Sequence, residues 1–160
     1  MLTDGFPRIP KVVQLQAAIT TNGAKTTQYI NAAKCNMIYF IVSLQNTAGD
    51  ETVLSIYEAT NASGGSAAAI TTAMPVYYSN DTEAALGDNL TLVTSAATLT
   101  VGSAISEKIA IIQVDPSIMT SGMDFLAVHA TTSGEPTNFM TVIAVAGNRH
   151  GGYDDVTLLA

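Results

Sequence analysis

Charge is what this chain has least of. Asp, Glu, Lys and Arg together make up 12% of its 160 residues, against 48% hydrophobic ones, where soluble domains carry roughly 25% charged residues. A surface with so few charges is expected to be covered in large part by other subunits or partners. What charge remains is acidic, with a net −7 and a pI near 4.4. The six Lys and Arg residues are scattered rather than clustered, so the chain repels phosphate backbones and nucleic acid is not an expected partner.

Cysteine, tryptophan and long apolar runs are scarce as well. One cysteine rules out an intramolecular disulfide, and Cys35 stands between Lys34 and Asn36 at the entry to an apolar run, the setting of a buried inert thiol rather than a nucleophile. Tryptophan is absent, which removes the aromatic platform that a sugar-cleaving pair of carboxylates normally works beside. The longest apolar run, Met37-Ile38-Tyr39-Phe40-Ile41-Val42, falls well short of the roughly 20 residues that cross a bilayer as a helix. No membrane partner is expected. The stretch from Met1 to Pro10 lacks the basic start and apolar core of a secretory signal, and the expectation is that the chain stays where it is made.

What the sequence does contain is a succession of stretches rich in Thr, Val, Ile and Ala, punctuated by Gly, Asn, Asp and Pro. The clearest runs from Glu107 through Ile109, Ile111 and Val114 to Pro116, a β-branched run that a proline stops. Lys11 to Ala18 sets Val13, Leu15 and Ala17 against Gln14, Gln16 and Ala18, the alternation of a half-buried strand, and Asn22-Gly23 follows as a turn. Further strands are expected over 27–32, Met37 to Leu44, Thr52 to Ala59, Met74 to Tyr78, Leu90 to Val93, Ala97 to Val101, Lys108 to Val114, Phe125 to Ala130 and Phe139 to Ala146. Met37 to Leu44 is apolar on both faces, which predicts a strand covered on both sides. Pro75 predicts an edge or irregular strand, and Asp81 predicts a capped helical turn over 82–86. The regular spacing predicts an all-β chain, an antiparallel β-sandwich or a jelly-roll-like barrel with extended N- and C-terminal arms.

A chain of this length suits one domain, which at that size buries roughly 70% of its unfolded surface without disulfide or metal. The domain is expected over 11–150, between an arm at 1–10 and a tail at 151–160. Both ends carry apolar residues set off by Pro or Gly, the kind of segment that orders against a partner. The partner-binding residues expected are Phe6, Pro7, Ile9 and Pro10 in the arm and Tyr153, Val156, Leu158 and Leu159 in the tail. A proline-stiffened arm loses less entropy on docking.

Candidate chemistry is thin. His129 sits within a strand and His150 in a Gly-rich turn, without the helical spacing of a zinc motif; the two read as one sheet-facing and one exposed imidazole. Asp50-Glu51, the run Asn80 to Glu83, and Asp154-Asp155 lack the spacing of a calcium loop and read as solvated turns. Ser63-Gly64-Gly65-Ser66 lacks the lysine of a phosphate loop and reads as a flexible loop. Sequon matches at Asn61, Asn80 and Asn89 are chance occurrences in a Ser- and Thr-rich chain. No catalytic constellation assembles, so neither enzymatic activity nor a cofactor or metal is expected.

The segment Tyr29-Ile30-Asn31-Ala32-Ala33-Lys34-Cys35-Asn36 and the apolar run after it resemble small virion proteins of tailed bacteriophages. Similar elements continue in order through Ser55 to Ala59, Gly64-Gly65, Ala73 to Tyr77, Lys108 to Pro116, Phe125 to Val128 and Val142 to Arg149, across most of 12–150. The resemblance implies a β-sandwich or jelly-roll-like head protein that decorates or cements the capsid lattice, bound non-covalently to the major capsid protein on the virion surface. It suits a homo-oligomer, trimeric at lattice symmetry axes, since many weakly attached copies gain avidity. Two alternatives stand beside it. One is a head-tail or tail structural subunit. The other is a carbohydrate- or receptor-binding sandwich, with Tyr39, Tyr57, Tyr77 and Tyr78 as stacking faces.

Overall fold

Every strand pairing in the computed structural model is antiparallel. The structure describes residues 11–20, 23–33, 35–46, 50–79, 91–102, 108–132 and 138–148, with backbone alone for 11–20, 78, 79, 91, 93, 94 and 148. The strands are β1 (Lys11–Thr20), β2 (Lys25–Thr26), β3 (Ile30–Asn31), β4 (Cys35–Gln45), β5 (Thr52–Ala59) and β6 (Ala68–Ala69). They continue with β7 (Met74–Ser79), β8 (Thr91–Ala96), β9 (Thr98–Val101), β10 (Lys108–Val114), β11 (Phe125–Thr132) and β12 (Phe139–Asn148). The first sheet has the order β1-β12-β4-β10-β7-β8. In the second, β2 and β3 both pair with β11, β11 with β5, and β5 with β6 and β9.

The pairing is nested. β1 pairs with β12, β2 and β3 with β11, β4 with β10, and β5 with β9. A ribbon of four antiparallel pairs has thus been folded over on itself, so that β12 also meets β4 and β11 also meets β5. That is the connectivity of a double-sheet jelly roll. Strands β6 to β8 are inserted between β5 and β9, and β7 with β8 widens the first sheet beyond β10. The sheets stay open, with β1 and β8 at the two edges of the first. Of the two architectures expected, the sandwich is found and the closed barrel is not.

Alternation explains which way each strand faces. Phe40, Val42 and Leu44 of β4, Ile112 of β10 and Val142 of β12 are buried against Leu54, Ile56, Leu126 and Val128 of the second sheet. Cys35 is buried here too, as the sequence suggested, with its thiol directed at the Asn31 carbonyl. The proline stop after β10 is built as expected from its residues. Asp115 Oδ1 accepts from the Ser117 N–H at 2.8 Å and opens a 3₁₀ turn, Pro116–Ile118.

Local expectations are corrected or narrowed at four places. The strand expected over 27–32 shrinks to the two-residue β3, and β2 ends just before it at Thr26, because the Thr27 hydroxyl takes the Val128 N–H at 3.1 Å and interrupts the ladder. Of the two alternatives that Pro75 predicts, the irregular strand is found and the edge is not: β7 lies between β10 and β8, and its register shifts against β8 after Val76. The loop around Gly64 is a built turn rather than a flexible one: Asn61 Oδ1 accepts from the Ser63 and Gly65 N–H groups, both at 3.0 Å. Asp50 is not a solvated turn residue but is buried, accepting from Asn138 Nδ2 at 3.2 Å. The helical turn expected over 82–86, the arm at 1–10, the tail at 151–160 and His150 lie outside the described residues.

Where the chain crosses from one sheet to the other, backbone groups leave their ladders while still buried, and side chains take over. Asn46, just after β4, donates to the Val101 carbonyl at 3.1 Å, and its own Oδ1 accepts from the Thr52 hydroxyl at 2.8 Å. Lys108 Nζ donates to the Gly102 carbonyl at 3.3 Å. At the β10-to-β11 crossing, the buried Glu58 carboxylate accepts from both the N–H and the hydroxyl of Thr120.

Candidate interaction surface

The outer face of the first sheet is the unusual part of the molecule. An open sandwich sheet normally shows water a polar row between buried ones. Here both rows are apolar. Ile143 pairs with Ile41, Ile41 with Ile111, Ile111 with Tyr77, and Tyr77 with Leu92. One line of large apolar residues therefore crosses β12, β4, β10, β7 and β8 on the side away from the core. Val145 and Tyr39 pair beside it.

Four large hydrophobic residues are exposed among the described residues: Tyr39 at 38%, Leu92 at 53%, Ile109 at 44% and Phe139 at 44%. All four lie on this one face, since they alternate with the buried Ile38, Phe40, Ala110 and Met140 or, for Leu92, pair with Tyr77. The remaining described side chains on the face include Met37, Ser43, Gln45, Pro75, Ser95, Gln113 and Thr141, with Gly147 beside them. No charged side chain is among them. A contiguous apolar patch rimmed by small polar groups marks a surface meant for contact.

The second sheet presents a different outer face, in which hydroxyls alternate with small and aromatic residues. Ser55 pairs with Thr98, Val53 with Thr100, and Thr131 with Val53. In its middle Tyr57 and His129 stack diagonally across β5 and β11, with ring centroids 4.3 Å apart and planes 27° from parallel, the geometry open to residues i and j±2 of neighbouring strands. His129 Nδ1 and Thr26 Oγ1 lie 2.8 Å apart, tying the two-residue β2 to its neighbour. Gly64 supports the same patch. Its φ of +78° is in the left-handed region, and a Cβ there would sit 2.9 Å from the Tyr29 ring, so glycine is needed for Tyr29 to lie over the turn.

Burial lowers the His129 pKa below its ordinary 6.5, and it raises that of Tyr29, with a smaller contribution from Tyr57. For an imidazole held below its unfolded pKa, the unfolded chain binds the extra proton first, so stability is lost as pH falls through 6.5 toward the folded value. Thermal melts of wild type and His129→Gln between pH 7.5 and 5 should therefore converge as the pH drops. A gap between them that stays constant over that range would remove His129 from the pH response.

The structure does not bring the expected stacking tyrosines together. Tyr39 and Tyr77 belong to the outer face of the first sheet, whereas Tyr57 is on the opposite side of the sandwich. Phe6, Pro7, Ile9, Pro10, Tyr153, Val156, Leu158 and Leu159 lie outside the described residues. Leu92, Ile109, Ile111, Phe139 and Ile143, which sequence reasoning places in strands but not in a contact surface, form the apolar face together with Tyr39 and Tyr77. The signal was present in runs such as Ile109-Ala110-Ile111-Ile112, where both parities are apolar.

Among the described residues no group of three His, Cys, Asp or Glu side chains is placed to hold a metal ion, and no helix is long and apolar enough to cross a membrane. No protein-family model matches the chain, and no curated protein matches it in sequence. Among solved structures it is similar to a chain of Desmodium yellow mottle tymovirus, at 10% identity and a TM-score of 0.32, over 96% of this chain and 97% of that one.

Proposed function

We propose that this chain is a structural virion protein of a tailed bacteriophage, one that decorates or cements the capsid lattice by non-covalent binding to the major capsid protein. The single observation that carries the structural reading is the outer face of the first sheet, which among the described residues bears no charged side chain and gathers the exposed large hydrophobics. Jelly rolls serve in capsids and in lectins alike, so the fold does not choose between them. The surface favours assembly, because a broad apolar sheet suits protein packing, whereas sugar recognition calls for convergent polar groups around a few aromatic faces. The phage assignment draws on the resemblance along 12–150. In this reading the ends attach to the shell through Phe6, Pro7, Ile9 and Pro10, with Tyr153, Val156, Leu158 and Leu159.

The test is the copy number of the chain per purified particle, by quantitative staining against the major shell protein. A ratio near lattice stoichiometry is expected. A few copies per particle would move the protein to the head-tail junction or tail, and absence from particles would overturn the virion reading. The same assay, on particles stripped of the protein and re-exposed to a chain lacking residues 1–10, tests the arm; unchanged occupancy would remove it from attachment.

A further inference from the structure

We infer that the apolar outer face of the first sheet is covered by the same face of a second copy of this chain, giving a two-fold, face-to-face dimer. The inference rests on the structural reading above and names the partner for that surface, leaving the ends to engage the shell. Three features select an identical copy as the occupant.

The first is charge. The chain carries a net −7, so two copies repel wherever their acidic surfaces meet, yet this face has no charged side chain among its described residues. It is the surface on which two copies approach without like charges being desolvated. A partner recognised through opposite charge would have nothing to pair with here.

The second is shape. Ile143, Ile41 and Ile111 form a β-branched row on three adjacent strands, and such rows interdigitate when sheets stack at ~10 Å, as they do inside a sandwich. A two-fold axis through Ile41 or Ile111 would set each copy's row against the other's, the self-complementarity that an isologous contact requires. Ser43, Gln45, Gln113 and Thr141 are available as a neutral polar fringe.

The third is size. Five strands at ~4.8 Å spacing and about seven residues at ~3.4 Å give a face on the order of 600 Å² in projection. Side-chain relief brings that close to the ~800 Å² that each partner buries in a standard interface. Pairing two such dimer halves also doubles the number of terminal segments presented to a lattice, which raises avidity without stronger individual contacts.

Sedimentation equilibrium on the full chain, at tens of micromolar, tests the inference with two variants, Ile109→Glu and Leu92→Glu. Both positions are exposed enough in the single chain for a carboxylate to be tolerated, which far-UV circular dichroism and a melt at low concentration would verify. The expected result is a wild-type dimer and, for each variant, dissociation at least ~30-fold easier, because a charge is trapped unpaired in the contact. A wild-type monomer, a trimer, or a dimer indifferent to both substitutions would overturn it. A monomer whose variants lose particle binding would assign the face to the shell, sinking the dimer but not the proposed function. A monomer that binds a hydrophobic dye only after residues 1–10 or 149–160 are removed would assign the face to the chain's own ends. A dimer that responds as expected in a chain absent from particles would sustain the dimer while the virion reading failed.

Discussion

Phe40→Ala should be the most damaging single truncation among the described residues, lowering stability by about 3–5 kcal/mol. Phe40 is fully buried in the central strand of the first sheet. It lies between Ile112 on one side and Ala144 on the other. The small residue opposite leaves the ring to fill that stretch of core, so the vacated volume has no long neighbour on the Ala144 side to collapse into it. Against a total of about 5–15 kcal/mol for a domain, such a loss is expected to lower Tm by about 6–20 °C at this chain length. Phe139→Ala is the matched control. Phe139 has the same side chain on the same sheet but faces outward and is 44% exposed, so at concentrations where the chain is monomeric it should lose no more than about 1 kcal/mol. Urea melts of the two variants read the difference directly. Equal losses would mean that the inner and outer faces of β4 and β12 are assigned the wrong way round.

That contrast also marks how far the sequence could be read. The strand bounds Thr52–Ala59 and Lys108–Val114 are legible to the residue, because β-branched runs end there in a Gly/Asn loop or in Asp-Pro. Met37 to Leu44 is legible as a strand with two apolar faces, and the structure shows why that pattern arises. One face, with Phe40 and Val42, packs on the second sheet, while the other, with Tyr39 and Ile41, looks outward. Periodicity identifies a second apolar face but not what covers it, so the sequence points to the terminal segments rather than to the body for a contact surface. The two-residue β2, β3 and β6 carry no pattern at all; two residues cannot alternate, and they exist because β11 and β5 offer them an edge.

The buried polar residues were the least legible. Asn46, Asp50, Thr52, Lys108 and Asn138 are all buried, yet each sits at a strand end, where sequence alone suggests a turn in water. Their burial depends on three crossings, after β4, after β9 and before β12, meeting at one end of the sandwich. Nothing local to any of those segments encodes that meeting. The nested pairing of the ribbon brings them together, and it is a property of the whole chain.

Asn46→Leu is accordingly expected to destabilise the fold by about 2–4 kcal/mol, although leucine is similar in size and more hydrophobic. The substitution withdraws the donor at the Val101 carbonyl and the acceptor for the Thr52 hydroxyl, and each buried group left without its partner costs about 1–3 kcal/mol. Thr52→Val in the Asn46→Leu background should restore part of the loss, because it removes the stranded hydroxyl. The double-mutant cycle should then show coupling of about 0.5–3 kcal/mol. Additive losses well under 1 kcal/mol would return Asn46 to the solvated turn its sequence suggests. The outcome also bears on assembly. Asn46 ties the departure of β4, a central strand of the apolar face, to the Val101 carbonyl at the end of β9 in the other sheet. Loosening that tie frees the first sheet to change its twist, and a surface that interdigitates through a β-branched row depends on that twist being fixed.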